Sequence, residues 1–438
     1  MSAKVYKNIL WFGLGVVLVF APLARGATTT RLWAVTPIFL IVYALVFVWL
    51  WRVNNGGEIP GQARDGDGKK EKVGIFGGIG LPLWLFAGLA VVSFVFSIYK
   101  YDSFYALIRL FGYIGLFYLI AGNYSRGFAK YLAWVVICIG TGLSAYGLLQ
   151  YFGVFPHGWW KPEMFLSATY VNHNHFAGYL EMAIPIAFGA AVSLGSDGTE
   201  RGKRSLLVLL VMALVIMMAA FVFAQSRGAW ICMGSALFVM SLVLVRRGVF
   251  RARGMIVLVS LVIGVVAFFY VGDGLVSKRI ETMVKVNDGD ASMGGRVAMW
   301  RGSVGMARGN VLTGVGIGCF EDGFAMYRPE ELGEREIRPR YAHNEYLQMV
   351  SEMGVLAFPL MVWMICAAVG AGFRGGRRPG KISLTGGIVL GSAVGILSLS
   401  LHGLVDFNFH IPANMLVVVC FFGVIMGRDR KKRSRGVI

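Results

Sequence analysis

Residues 205–224 read SLLVLLVMALVIMMAAFVFA, twenty positions without a charge. At a helical rise of about 1.5 Å per residue such a run crosses the roughly 30 Å hydrocarbon core of a bilayer. The same reading extends along the chain in both directions. Apolar runs lie near 8–24, 33–51, 77–97, 104–121, 130–150, 176–194 and 205–224, then near 229–246, 255–273, 344–371, 383–401 and 412–427. They predict an all-α polytopic membrane protein of about twelve transmembrane helices. Composition agrees, because 57% hydrophobic and only 15% charged residues over 438 positions exclude an ordinary soluble domain.

Orientation follows from Lys and Arg, which are retained in cytoplasmic loops. Alternation from an inside N-terminus puts Lys4 and Lys7, the 52–72 linker, Arg126 and Lys130, the 201–204 cluster, Arg246–Arg253, Arg374–Lys381 and Arg428–Arg435 on the cytoplasmic side. Both termini are then cytoplasmic, and the first run reads as a retained span rather than a signal peptide. The net charge of +19 is topological. It is spread over short loops beside apolar runs, where it meets anionic head groups of the lipid bilayer, and no nucleic-acid motif accompanies it.

The exception is an outside segment rich in charge, 274–342, in which Trp300, Phe320, Phe324, Tyr327 and Tyr341 are interleaved with the charged residues. That mixture predicts a small, partly helical external subdomain, whereas the glycine-punctuated 52–75 segment reads as a linker. The chain therefore divides into 1–273 with nine spans, the loop subdomain 274–342, three spans within 343–427, and a basic cytoplasmic tail at 428–438. Five cysteines show no metal or redox spacing. Four of them, Cys138, Cys232, Cys366 and Cys420, lie in apolar runs and read as buried thiols.

On this topology the unusual polar residues fall at one membrane surface. SATYVNHNHFAGYLEM supplies Asn172, His173, Asn174 and His175; AQSRGAW supplies Ser226 and Arg227; GGRVAMWRG supplies Arg296 and Arg301. RPRYAHNEYLQMVSEMG adds Arg338, Arg340, His343, Asn344 and Glu345, and LHGLVDFNFHIPANM adds His402, Asp406 and His410. Each has a plain structural reading: Asn172–His175 as a helix cap, Arg227 snorkelling to head groups, Asp406 in an internal pair, Arg301 and Arg308 on a solvated helix face. Their convergence argues for more. Arginine offers a donor fork suited to phosphate oxygens, and histidine exchanges protons near neutral pH, so the combination points to a phosphorylated lipid ligand and acid–base chemistry. The His173-x-His175 spacing is weak support for a metal, with neither a DxD pair nor HExxH beside it, and a site without metal fits better. A transporter would bury charge inside several spans, yet Arg109 and Glu352 are the main such residues; a scaffold subunit has no need of outside arginines from separate loops.

SRGAW, GRVAMW followed by VLTGVGIGCF, AHNEYLQMVSEMG and the late DFNFHIPAN together resemble the O-antigen ligase and O-antigen polymerase superfamily. The resemblance runs from about 170 to 415, and its most specific part is His343 with Gly354 eleven positions on, beside Gly314, Gly316 and Gly318. It implies a GT-C-type glycosyltransferase of a Gram-negative inner membrane. Such an enzyme transfers an undecaprenyl-diphosphate-linked glycan at the periplasmic face to an acceptor hydroxyl, the lipid A core sugar in the ligase branch, with inversion and with no cofactor, metal or nucleotide. By resemblance Arg227 and Arg296 hold the diphosphate, and His343 activates or orients the acceptor hydroxyl. The expected mechanism further assigns Asn172 and Asn174 to binding sugar or phosphate, Asp406 or His410 to supporting the site, and Arg301, Arg338, Arg340 and Asn344 to substrate contact. The ligase branch is favoured over the polymerase and protein O-oligosaccharyltransferase branches on length and on the single His343–Gly354 element.

Overall fold

A computed structural model describes residues 1–27, 32–55, 79–155, 165–194, 201–246, 293–332, 339–374 and 382–433. The expected ninth span at 255–273, most of the 52–75 linker, the start of the external segment and Arg338 lie outside the described residues. Within them the chain forms fourteen α-helices. The first eight are α1 (Ala3–Leu23), α2 (Leu32–Asn54), α3 (Gly80–Val95), α4 (Lys100–Gly122), α5 (Arg126–Tyr151), α6 (His173–Leu194), α7 (Arg201–Phe223) and α8 (Arg227–Arg246). Then follow α9 (Met293–Gly309), α10 (Phe320–Met326), α11 (Glu345–Met353), α12 (Ala357–Arg374), α13 (Leu384–His402) and α14 (Pro412–Arg433). Ten of them are long and apolar enough to span a membrane, and α3, at 16 residues, is shorter.

Burial sorts the spans into layers. The apolar windows of α6, α13 and α14 are 83% buried inside the protein, whereas that of α7 is 22% buried and offers its side chains outward. A helix apolar all round belongs in the centre. What brings α6 and α13 together is a row of glycines at four-residue spacing. A β-carbon at Gly387 would stand 2.0 Å from the Gly189 carbonyl oxygen, one at Gly391 2.1 Å from that of Pro185, and one at Gly395 3.0 Å from that of Glu181. Such small-residue stripes let helix backbones touch where lipid offers no hydrophobic drive for association.

The apolar run 344–371 is not one span. It breaks after Met353, at Gly354, whose φ of +87° is open to glycine and costly elsewhere. The break is filled by the VLTGVGIG segment: Val315 and Gly316 donate their N–H groups to the Ser351 and Glu352 carbonyls, and Val355 donates to Val311. These bonds satisfy the carbonyls left open at the end of α11. The glycine run earns its place by contact, since a β-carbon at Gly314 would lie 2.1 Å from the Glu352 carbonyl carbon. Of the four cysteines expected to be buried, Cys232 and Cys420 are, but Cys138 and Cys366 face outward on their spans. A thiol is small and apolar enough for either place.

Candidate functional site

The N-terminal ends of α6, α8 and α14 and the C-terminal end of α13 meet at one end of the bundle, under α9 and α11. Backbone and side-chain bonds fix the meeting: the Asn414 carboxamide donates to the His175 carbonyl at 2.9 Å, and a β-carbon on Gly228 would touch His402 and Val405 at 3.0 and 3.1 Å. Between α13 and α14 the chain 403–411 folds inward and carries Asp406, which is 1% exposed.

Asp406 is the centre. Its Oδ1 lies 3.6 Å from His343 Nδ1 and 4.0 Å from His175 Nε2, and its Oδ2 lies 3.9 Å from Arg296 Nη2. Arg296 also donates through Nη1 to the Val405 carbonyl at 2.9 Å, so one guanidinium grips the backbone and side chain of the same loop. Burial would push the Asp406 carboxyl up; the approach of His343 and the charges of His175 and His402 outweigh it and hold the group well below the ordinary carboxylate range. His343 sits at φ +51° with its carbonyl facing Trp300 Nε1 at 3.4 Å, one helical turn beyond Arg296 on α9. A non-glycine residue held there is a strained position that surrounding structure must enforce.

A second pair runs parallel. Glu345, 1% exposed, accepts from the Phe409 N–H and meets His410 Nδ1 at 2.7 Å, while its own N–H donates to the Gly403 carbonyl. The inward loop is thus tied to α11 at both ends, with Asn344 Nδ2 donating to Leu404 between them. Phe407 fills the space between the pairs, with the rings of His343 and His175 edge-on at 4.7 Å and Tyr341 stacked at 4.3 Å. Around Asp406 several buried atoms have no hydrogen bond among the described residues: Asp406 Oδ2, His343 Nδ1, both ring nitrogens of His175 and Arg296 Nε. Buried polar atoms are almost always paired, so this concentration makes the cluster the candidate site.

The residues expected from sequence separate here. His343, Arg296 and Asp406 come together; Arg227 starts α8 within reach of the Arg296 charge, and His410 supports from the second pair. Asn172 accepts from the Asn174 N–H at 2.8 Å and caps α6, leaving Asn174 half-buried beside it. Asn344 caps α11 by accepting from Tyr346 and Leu347. Arg301 is exposed, and Arg340 pairs with Glu321 at 3.4 Å on the surface. His173 and His175 diverge: His173 Nδ1 faces the Ala224 carbonyl at 2.6 Å, whereas His175 turns to Asp406. Among the described residues no group of three His, Cys, Asp or Glu is placed to hold a metal ion.

Sequence reasoning missed Glu181. It is fully buried in α6, bonded by Ser398 Oγ at 2.6 Å and by His402 Nδ1 at 2.7 Å, and it fixes the end of α13 from which the Asp406 loop departs. His175 reads from sequence only as a capping or metal candidate.

Fold and site define a polytopic, all-helical membrane protein with a buried cluster of histidines, carboxylates and an arginine at one end of its bundle. Residues 212–362 match the family model Wzy_C, described as O-antigen ligase. Residues 212–362 are thus similar to that family's domain, which supports the resemblance to the O-antigen ligase and polymerase superfamily. The general function that goes with the family is glycosyl transfer of the O-antigen ligase type from a lipid-linked glycan in a bacterial inner membrane. The match includes Arg227, Arg296 and His343 and stops short of Asp406, His410, His175 and Glu181. No curated protein matches the chain.

Proposed function

We propose that the protein joins an undecaprenyl-diphosphate-linked glycan to an acceptor hydroxyl at the periplasmic face, with the lipid A core sugar as acceptor. The observation that carries this reading is the single carboxylate of Asp406 facing His343, His175 and Arg296 at once. His343 presents Nδ1 to that carboxylate, which leaves Nε2 for a substrate hydroxyl. A carboxylate in this relation fixes the tautomer and stabilises the imidazolium as it forms.

The acceptor oxygen attacks the anomeric carbon and passes its proton to His343 Nε2. The bond from that carbon to the diphosphate oxygen breaks on the opposite side, and the electron pair leaves with the diphosphate. One displacement inverts the configuration. Arg296 and Arg227 meet the charge that grows on the leaving group, the kind of stabilisation worth about 10² to 10³ in rate per donor. No external energy source enters, because the diphosphate ester supplies the driving force.

The test is lipopolysaccharide gel profiling in a host without its own ligase but with a matching core and lipid-linked glycan. The wild-type chain should restore polymer on the lipid A core, and His343→Ala, expressed equally, should not. Longer glycan in a polymerase-deficient host, with no transfer to core, would replace this reading by the polymerase one.

A further inference from the structure

A cavity of about 240 Å³ lies between α3, α4, α11, α12 and α14. Its walls are apolar and unusually rich in methionine: Met349, Met353, Met361, Met364 and Met415 all line it. Thioether side chains adapt to a guest without a fixed shape, as a lipid chain is. One end is polar. Arg109, near the middle of the 23-residue α4, lines the cavity together with His410, Glu345 and Glu352.

Arg109 makes no hydrogen bond or ion pair among the described residues, although Asp102, Glu352 and His410 feel its charge. The carboxylates that line the cavity are engaged elsewhere: Glu352 accepts from Gln348 Nε2 at 3.0 Å and from the Gly318 N–H at 2.8 Å, and Glu345 is held by His410 and Phe409. An arginine at bilayer depth is expensive and ordinarily partnered. A guanidinium beside an apolar, chain-shaped space has a natural complement in a lipid whose phosphate takes the two parallel N–H donors.

The geometry points to a structural phospholipid site: an anionic phosphodiester lipid, such as phosphatidylglycerol, seats an acyl chain among the methionines and its phosphate on Arg109. A single guanidinium in a cavity that also holds the carboxylates of Glu345 and Glu352 suits the one charge of a phosphodiester and opposes a diphosphate monoester, which carries more. The aromatic layers His343, Phe407, Tyr341 and His410 also separate this site from Asp406. The inference does not depend on the reaction proposed above. Its consequence for that reaction is indirect: the lipid would rest on His410, and through Glu345 on the loop that carries Asp406.

The experiment is retention of added lipid by the delipidated full chain in detergent, read by native mass spectrometry, with phosphatidylglycerol, phosphatidylcholine and undecaprenyl phosphate as probes. Wild type should hold phosphatidylglycerol about tenfold or more over phosphatidylcholine, as a charge-assisted pair requires. Arg109→Gln should lose that preference, and Leu110→Trp, which fills the cavity and keeps the charge, should lower retention of phosphatidylglycerol. A preference undiminished in both variants would put the anionic lipid elsewhere and overturn the site. Stronger Arg109-dependent retention of undecaprenyl phosphate than of phosphatidylglycerol would also overturn it, by making the cavity a carrier-lipid channel.

Discussion

His343 and Asp406 face each other across 3.6 Å from Nδ1 to Oδ1, the imidazole from the segment before α11 and the carboxylate from the loop between α13 and α14. If that carboxylate sets the tautomer and steadies the imidazolium, Asp406→Asn should cost about 10² to 10⁴ in transfer rate, the range of a lost general base. His343→Ala should cost a similar factor, and the double variant little beyond either, because residues acting as one unit are non-additive. Initial rates with purified protein decide it; multiplied losses in the double variant would separate the two roles.

Arg296 differs from the other arginines of its neighbourhood because its fork holds the Val405 carbonyl and faces Asp406 together. Arg296→Lys keeps the charge but not the fork. Both Arg296→Lys and Arg296→Ala should therefore lower transfer, the alanine variant by about 10² to 10³. Arg301→Ala and Arg340→Ala should stay near wild type, the first residue being exposed and the second in a surface pair with Glu321, a kind of contact worth little. Equal losses in all four would show a general electrostatic effect in place of a placed donor.

The spans were legible because twenty uncharged residues have few alternatives, and the residues that meet around Asp406 could be picked out because arginine and histidine stand out against an apolar background. Apolar continuity hid the break at Gly354. Its signal lay in the second glycine cluster, 314–318, whose tight approach to Glu352 no linear pattern reports. Glu181 was hidden for a related reason: its partner His402 is 221 positions away, and one carboxylate in an apolar run looks like noise until the partner is seen. The asparagines went the other way. Asn172 reads from sequence both as a cap and as a ligand group, and Asn344 as a ligand group; both cap helices in the structure, a local role that competes at every helix start.

The Glu345–His410 pair predicts a pH dependence of stability. Burial lowers the His410 basicity, but the Glu345 charge and hydrogen bond, then the Glu352 charge, outweigh it and raise the group above its ordinary value, against the opposing charge of Arg109. A raised folded-state value means that the pair's stabilisation is complete below the unfolded value of about 6.5. It is lost as pH rises through the raised one. Melting temperature in detergent should therefore fall between pH 6.5 and the alkaline side in wild type, and fall less in His410→Gln. Parallel curves would exclude the pair as the source.

The α6–α13 contact sets the position of the whole site, since Glu181 and His402 meet across it and the Asp406 loop begins one residue later. A methyl at Gly391 would lie 2.1 Å from the Pro185 carbonyl oxygen, a backbone atom that cannot swing aside. Gly391→Ala should cost about 1–3 kcal/mol by overpacking. Gly142, in α5, has nothing within 4 Å of the same added methyl, so Gly142→Ala should be neutral or gain up to about 1 kcal/mol from helix propensity. The two variants make the same chemical change in the same kind of helix and differ in what the methyl meets. Thermal melting should separate them in sign, and transfer activity should fall in Gly391→Ala even below its melting point, because displacing α13 moves His402 and the loop behind it. A Gly391→Ala protein that melts and reacts like wild type would mean that the helices can part without consequence, and that the glycine row does not hold the site in place.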